Sequence, residues 1–141
     1  MALTAPGVAG IDGEGLLTME KILGLKLDAD WVVLSACSTA AGQGAGAEAV
    51  SRLGRAFFYA GARALVVTHW PVESTSARLL TTMTFRRQAA DLTLTRAEAL
   101  KQSMLDLIDS PGYIDPGTKR VAYSYAHPLF WAPFALVGDG R

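Results

Sequence analysis

The sequence predicts an α/β fold built on a mostly parallel sheet whose last strand is antiparallel. Two runs, residues 31–36 and 64–68, are almost continuously apolar and rich in β-branched side chains, as expected of strands covered on both faces. Between them, residues 46–59 carry apolar side chains at helical spacing, which predicts an amphipathic helix. Such a strand–helix–strand unit predicts a right-handed crossover between two parallel strands.

The second half of the chain predicts two successive helices and a final strand. Residues 74–89 and 96–108 both show helical spacing, and the second begins with a capping-box pattern from Thr95 to Glu98. Because two helices return the chain and then carry it forward again, we expect the last strand, residues 130–137, to run antiparallel. An edge position there would tolerate Pro133, which has no N–H to donate to a sheet.

This topology brings three reactive side chains toward one edge of the sheet. Cys37 and His69 follow the two parallel strands, and His127 precedes the antiparallel one. The edge outside the carboxyl ends of parallel strands is where α/β proteins place ligands and chemistry. We therefore expect the functional site at this edge.

The predicted sheet is incomplete. Two parallel strands and one antiparallel strand are too few to bury the apolar runs on both sides, and residues 13–24 add only a turn and a short helix. We expect residues 1–141 to form a single, incomplete domain. Its amino-terminal strands would be missing upstream of Met1, or another chain would supply them.

Composition argues against several classes of partner. Half of the 141 residues are hydrophobic and 18% are charged, with thirteen acidic and thirteen basic residues and no basic run. This balance argues against a nucleic-acid partner or an anionic membrane surface. No segment approaches the ~20 apolar residues of a membrane span. The one cysteine cannot form an intrachain disulfide, so we expect a cytoplasmic protein in a reducing compartment.

Cys37 is the candidate nucleophile. It ends a buried run and opens into a loop of small residues, so its sulfur could face a substrate while its own N–H helps to hold an oxyanion. A thiol with an ordinary pKa of about 8.5 needs a neighbouring base, and His69 and His127 are the candidates. The alternative stays open, because unpaired cysteines are often inert small hydrophobes and a histidine before a proline is often a structural loop residue.

The sequence gives less support to a nucleotide-binding site or a metal site. The run GQGAGA at residues 42–47 fits a nucleotide-binding glycine pattern, but its first glycine follows the strand too late. A nucleotide-binding α/β module therefore stays a remote alternative. One cysteine and two scattered histidines fall short of a zinc site, so we expect neither a metal nor another cofactor.

Five motifs in order resemble one family. In chain order they are DGEGLLTMEKIL at residues 12–23, LSACST at 34–39, RAFFYAGAR at 55–63, HWPV at 69–72 and HPLFWAPF at 127–134. Together they are similar to CHAT domains, relatives of the caspases and separases, over about residues 11–139.

The resemblance implies a caspase-like three-layer α/β sandwich that cleaves peptide bonds with a Cys–His dyad. Cys37 takes the nucleophile position. The family's histidine lies in a His-Gly motif upstream, and none of the 36 residues before Cys37 is histidine. The resemblance therefore implies the carboxyl-terminal portion of a cysteine endopeptidase, inactive alone, that acts on a protein or peptide substrate. The helical repeats that often precede the domain in this family imply a regulatory partner.

The resemblance also implies substrate-binding residues after the second strand. His69, where the family more often has an aliphatic residue, Trp70 and Glu73 lie in the segment that shapes the substrate pocket in this clan. Glu73 could receive a basic side chain on the amino side of the cut, or it could be a helix N-terminal acid that interacts with the dipole. The missing histidine leaves a second interpretation open, a non-catalytic protein-interaction domain of caspase-like fold.

Overall fold

A computed structural model describes residues 17–34 and 45–141, with side chains for 17–34 and 52–141. Their elements in chain order are α1 (Met19–Leu23), β1 (Ala29–Leu34), α2 (Ala45–Tyr59), β2 (Ala62–Thr68), α3 (Ser74–Ala90), α4 (Arg96–Asp109), β3 (Tyr113–Ile114), β4 (Val121–Tyr123), a 3-10 helix (Pro128–Phe130) and β5 (Phe134–Gly138). None of the helices in these ranges combines the length and apolar character that crossing a bilayer requires.

The main sheet has the order β1-β2-β5. β1 and β2 are parallel, with Leu34 opposite Val67. β2 and β5 are antiparallel, with Thr68 opposite Phe134. The predicted parallel pair and antiparallel last strand are therefore confirmed, and the sheet is mixed.

Helices cover both faces of this sheet. Successive residues of a strand face opposite sides, and in β2 Leu65 and Val67 pack with α1 and α2 while Val66 packs with α3 and α4. Ile22 and Phe57 are buried on the first side, and Leu80, Leu100 and Leu107 on the second. Helices cover both faces of β2, which explains why its sequence is a continuous apolar run rather than an alternating one.

Gly61 makes the connection between α2 and β2 possible. Its φ of +104° is in the left-handed region, and a Cβ there would lie 2.0 Å from the carbonyl oxygen of Leu27. The N–H of Leu27 donates to the carbonyl of Ala60. The helix end and the segment before β1 are thereby held together, and only glycine fits between them.

The structure corrects two predictions in the last third of the chain. The last strand begins at Phe134 rather than at residue 130, because Pro128 opens a 3-10 turn and Pro133 has no N–H for the ladder. The segment between α4 and His127, in which the sequence predicted no strand, contains the hairpin β3–β4. Strands of two and three residues are too short to show an alternating pattern.

The predicted start of α4 is confirmed. The hydroxyl of Thr95 accepts from the N–H of Glu98 at 3.2 Å, which satisfies one of the free N–H groups of the first turn. The Glu98 carboxylate accepts from Lys101 and Gln102 instead of returning to the cap.

Candidate functional site

The carboxyl ends of β1 and β2 meet at one edge of the sheet, which we call the carboxyl edge. β1 ends at Leu34 opposite Val67, and the chain leaves β2 one residue later, after Thr68. The start of β5 lies at the same edge, because Phe134 pairs with Thr68. Cys37, the remainder of its motif (residues 35–39) and the start of the glycine run (residues 42–44) lie outside the described residues.

His69 and His127 both lie at the carboxyl edge, and their rings differ in what they can do. The Nδ1 of His127 accepts from the N–H of Leu129 at 3.2 Å and caps the 3-10 helix. A neutral ring so bonded carries its proton on Nε2 and has no free lone pair, so this geometry suits a structural residue better than a base. The exposed ring of His69 makes no hydrogen bond to the part of the chain that the structure describes, so no described residue holds it in a structural role.

Trp70 and Glu73 lie in the loop that leads from β2 into α3. Trp70 is 38% exposed. The two carboxylate oxygens of Glu73 accept from the N–H groups of Thr75 and Ser76, each at 2.7 Å. Burial alone would raise the pKa of Glu73, but these hydrogen bonds outweigh it and hold the pKa below its ordinary value of 4.5. Glu73 is therefore the N-cap of α3.

An aromatic cluster lies beside Glu73, and sequence reasoning missed it. Tyr113 stacks on Tyr123 at 5.0 Å between ring centroids, and Tyr123 stacks on Phe130 at 5.3 Å. Tyr125 meets both Tyr123 and Phe130 edge-on. Three tyrosines within thirteen positions were the available signal, but a pattern of aromatic residues in a loop does not show which rings meet.

Tyr125 is the most buried member of this cluster, at 2% exposed. Its hydroxyl has no hydrogen-bond partner among the described residues. Burial raises the pKa of that hydroxyl, and the negative charge of the nearby Glu73 raises it further. The same carboxylate contributes to the raised pKa of Tyr123, after burial of that ring. The charge of Glu73 is therefore felt at the aromatic cluster.

A separate cleft of about 390 Å³ lies at the opposite end of the sheet. Trp31 donates from its indole N–H to the side-chain oxygen of Gln88 there, and its ring meets Phe85 edge-on at 5.5 Å. Arg96, 10% exposed, donates to Asp30 at 2.9 Å beside this cleft. These contacts fix α3 and α4 on the start of β1.

The described part of the carboxyl edge thus has the exposed imidazole of His69, the capping carboxylate of Glu73 and a cluster of aromatic rings. No group of three or more His, Cys, Asp or Glu side chains within residues 17–34 and 45–141 could hold a metal ion. Of the aromatic rings at this edge, Trp70 is exposed and those of Tyr113, Tyr123 and Phe130 are partly buried; partly exposed aromatic rings are enriched where proteins bind polypeptides.

Comparison with known proteins adds a family. The family model described as CHAT domain matches residues 2–139. The chain is 30% identical over 128 residues to tetratricopeptide repeat protein 28 of Mus musculus. The match covers 89% of this chain, which spans 4% of the length of that relative. No solved structure matches the chain significantly.

Proposed function

This chain belongs to the CHAT domain family, and we propose that it is the carboxyl-terminal portion of a caspase-like cysteine endopeptidase domain with Cys37 as nucleophile. The observation that carries the proposal is the register of the parallel pair. Leu34 lies opposite Val67 at the carboxyl edge, and Cys37 follows Leu34 closely in the sequence. We propose that the nucleophile lies at that edge, supported by the strand β1 and near the loop that follows β2.

The rest of the caspase-like sandwich is proposed to come from upstream. β1 is at the edge of the sheet that the described residues form, and Trp31, Val32 and Val33 are only partly buried there. A further strand along β1 would bury them and pair with the backbone groups of β1 that bond to no other described strand. Helices on both faces of the sheet are consistent with a three-layer sandwich. We propose that this upstream strand ends in the His-Gly motif and supplies the base.

The proposed reaction needs only groups of the protein and water. The upstream histidine takes the proton of the Cys37 thiol, and the thiolate attacks the peptide carbonyl. The N–H of Cys37 and that of the upstream glycine hold the oxyanion. The C–N bond then breaks as the same histidine gives its proton to the leaving amine, and water hydrolyses the thioester to free the acid and the thiol.

Three residues are proposed to contact the substrate polypeptide. Trp70 has a partly exposed ring at the carboxyl edge, and the exposed imidazole of His69 precedes it in the chain. Glu73 is committed to capping α3, but its charge remains and favours a basic side chain in the substrate. The relative's tetratricopeptide repeats support a further proposal, that a regulatory partner acts through repeats upstream of this domain.

The proposal is tested with the full-length protein and a proteome-derived peptide library, in which new amino termini are identified by mass spectrometry. We expect cleavage by the wild type that is lost in Cys37→Ala and kept in His127→Ala, since His127 has no free lone pair. Cleavage that persists in Cys37→Ala contradicts the proposal. A wild type that never cleaves with its upstream histidine and partner present is a non-catalytic interaction domain.

A further inference from the structure

The hairpin β3–β4 is held rigidly at the carboxyl edge. The parallel ring stack of Tyr113, Tyr123 and Phe130 has interplanar angles of 10° and 5°. It joins both strands of the hairpin to the 3-10 helix that leads into β5. At its turn, the carboxylate of Asp115 accepts from the N–H groups of Gly117 and Thr118. The backbone of a hairpin fixed in this way loses little conformational entropy when it binds a partner.

Two apolar side chains stand on this hairpin without cover. Ile114 and Val121 are cross-strand partners, and they are 50% and 56% exposed. A partner that covers them removes their apolar area from water, which favours binding. The pair is small, so it suits one or two apolar residues of an extended segment rather than a large folded surface.

Two exposed cations lie beside this pair. Lys119 and Arg120 are exposed at the turn, and neither side chain forms an ion pair within the part of the chain that the structure describes. The carboxylate of Asp115, in the same turn, is engaged by the N–H groups of Gly117 and Thr118. The hairpin therefore presents two exposed positive side chains next to an apolar pair, and neither cation has an ion-pair partner among the described residues.

We propose that Ile114, Lys119, Arg120 and Val121, the hairpin surface, dock an extended acidic segment of the substrate polypeptide. An apolar side chain of that segment packs on Ile114 and Val121, and its carboxylates pair with Lys119 and Arg120. The segment is held outside the scissile bond, beside the edge that carries the nucleophile. This inference rests on the proposed peptidase function, for which it names a substrate class.

Binding is measured by fluorescence anisotropy on full-length protein carrying Cys37→Ala, so that no cleavage is needed. The probe is a short fluorescein-labelled synthetic peptide with one Leu flanked by Glu residues. The control is a peptide of the same length and label with Lys in place of each Glu. We expect the acidic peptide to bind at least about tenfold more tightly, with the difference shrinking as salt is raised. Equal affinity for the two peptides overturns the proposal.

Variants locate the site. Lys119→Glu/Arg120→Glu should reverse the preference between the two peptides. The control Lys26→Glu/Arg86→Glu makes the same change in charge at exposed positions away from the hairpin, and it should keep the preference. Ile114→Ser/Val121→Ser should weaken both peptides about equally and leave the salt dependence unchanged. Loss of the preference in the control to the same extent as in the hairpin variant would show that only net charge matters, and would overturn the proposal.

The two proposals can fail separately. Selective binding of the acidic peptide without any Cys37-dependent cleavage would keep the hairpin surface and remove the peptidase function. Cleavage that depends on Cys37 but is unchanged in rate and sequence preference by Lys119→Glu/Arg120→Glu would keep the peptidase and remove the hairpin surface.

Discussion

The backbone N–H of His69 donates to the carbonyl oxygen of Pro133 at 3.0 Å. This bond lies just beyond the last pair of the antiparallel ladder, Thr68 with Phe134. It ties the loop after β2 to the turn before β5, so the two segments that bound the carboxyl edge cannot move independently. Pro133 is fully buried, and its carbonyl has no water to replace this donor.

The first prediction concerns this bond. His69→Pro removes the donor and should lower the free energy of unfolding by about 1–3 kcal/mol, because a buried carbonyl is left unpaired. His69→Ala keeps the N–H and changes only an exposed ring, so it should stay within about 0.5 kcal/mol of the wild type. Urea unfolding of both variants is the measurement. Equal losses would mean that the ring, not the backbone bond, stabilises the edge.

The second prediction concerns pH. The pKa of Glu73 is lowered in the folded protein, so its contribution to stability is present above its ordinary pKa of 4.5 and is lost as the pH falls through the folded value. Glu73→Gln should therefore be less stable than the wild type at pH 7, and the difference should shrink below pH 4.5. Unfolding is followed in urea from pH 3 to 7, with Glu20→Gln as the control. A difference that does not depend on pH would contradict the capping role of the charged form.

The third prediction compares two arginines that share one partner. Arg96 and Arg63 both donate to Asp30, but their side chains are 10% and 57% exposed. Arg96 also donates to the carbonyls of Asp139 and Arg141. Arg96→Ala should cost about 1–3 kcal/mol, because those carbonyls lose their donor.

Arg63→Ala is the matched control and should cost less than about 1 kcal/mol, as exposed ion pairs do. Thermal unfolding of the two variants at low and high salt separates the effects, since salt should weaken the Arg63 contribution more than that of Arg96, whose side chain is buried and also donates to carbonyls. An Arg63→Ala variant as unstable as Arg96→Ala would show that the shared carboxylate dominates.

The fourth prediction concerns the buried hydroxyl of Tyr125, which lacks a partner among the described residues. Tyr125→Phe keeps the ring contacts and removes an unpaired polar group, so it should stabilise the protein by up to about 1 kcal/mol. Tyr59→Phe, at a position 83% exposed, is the neutral control. A loss of more than 1 kcal/mol would mean that the hydroxyl binds a group outside the described residues.

The strand directions could be predicted because they depend on a count. One helix between strands returns the chain to the starting edge, and two helices carry it forward again, so the opposite directions of β1 and β5 follow from the helical spacing of residues 74–108 alone. The start of α4 could be predicted because a cap depends on neighbours in sequence, here Thr95 and Glu98.

Other features depend on contacts between distant residues, which no local pattern shows. Arg96 meets Asp30 across 66 positions, and Trp31 meets Gln88 across 57. The aromatic cluster at the carboxyl edge is a similar case, because a loop rich in Tyr, Pro and Gly predicts turns but not stacking. The role of Glu73 was open in the sequence, and the geometry of its two hydrogen bonds identifies it as a helix cap.

Cys37 is proposed to be a nucleophile that is activated by a histidine upstream of residues 1–141. The most direct test is the rate of Cys37 alkylation against pH, read by mass spectrometry of its peptide, in the full-length protein and in this chain alone, both folded and in denaturant. We predict a pKa well below about 8.5 in the folded full-length protein only. A value at or above 8.5 there, or no reaction until the protein unfolds, would contradict the claim.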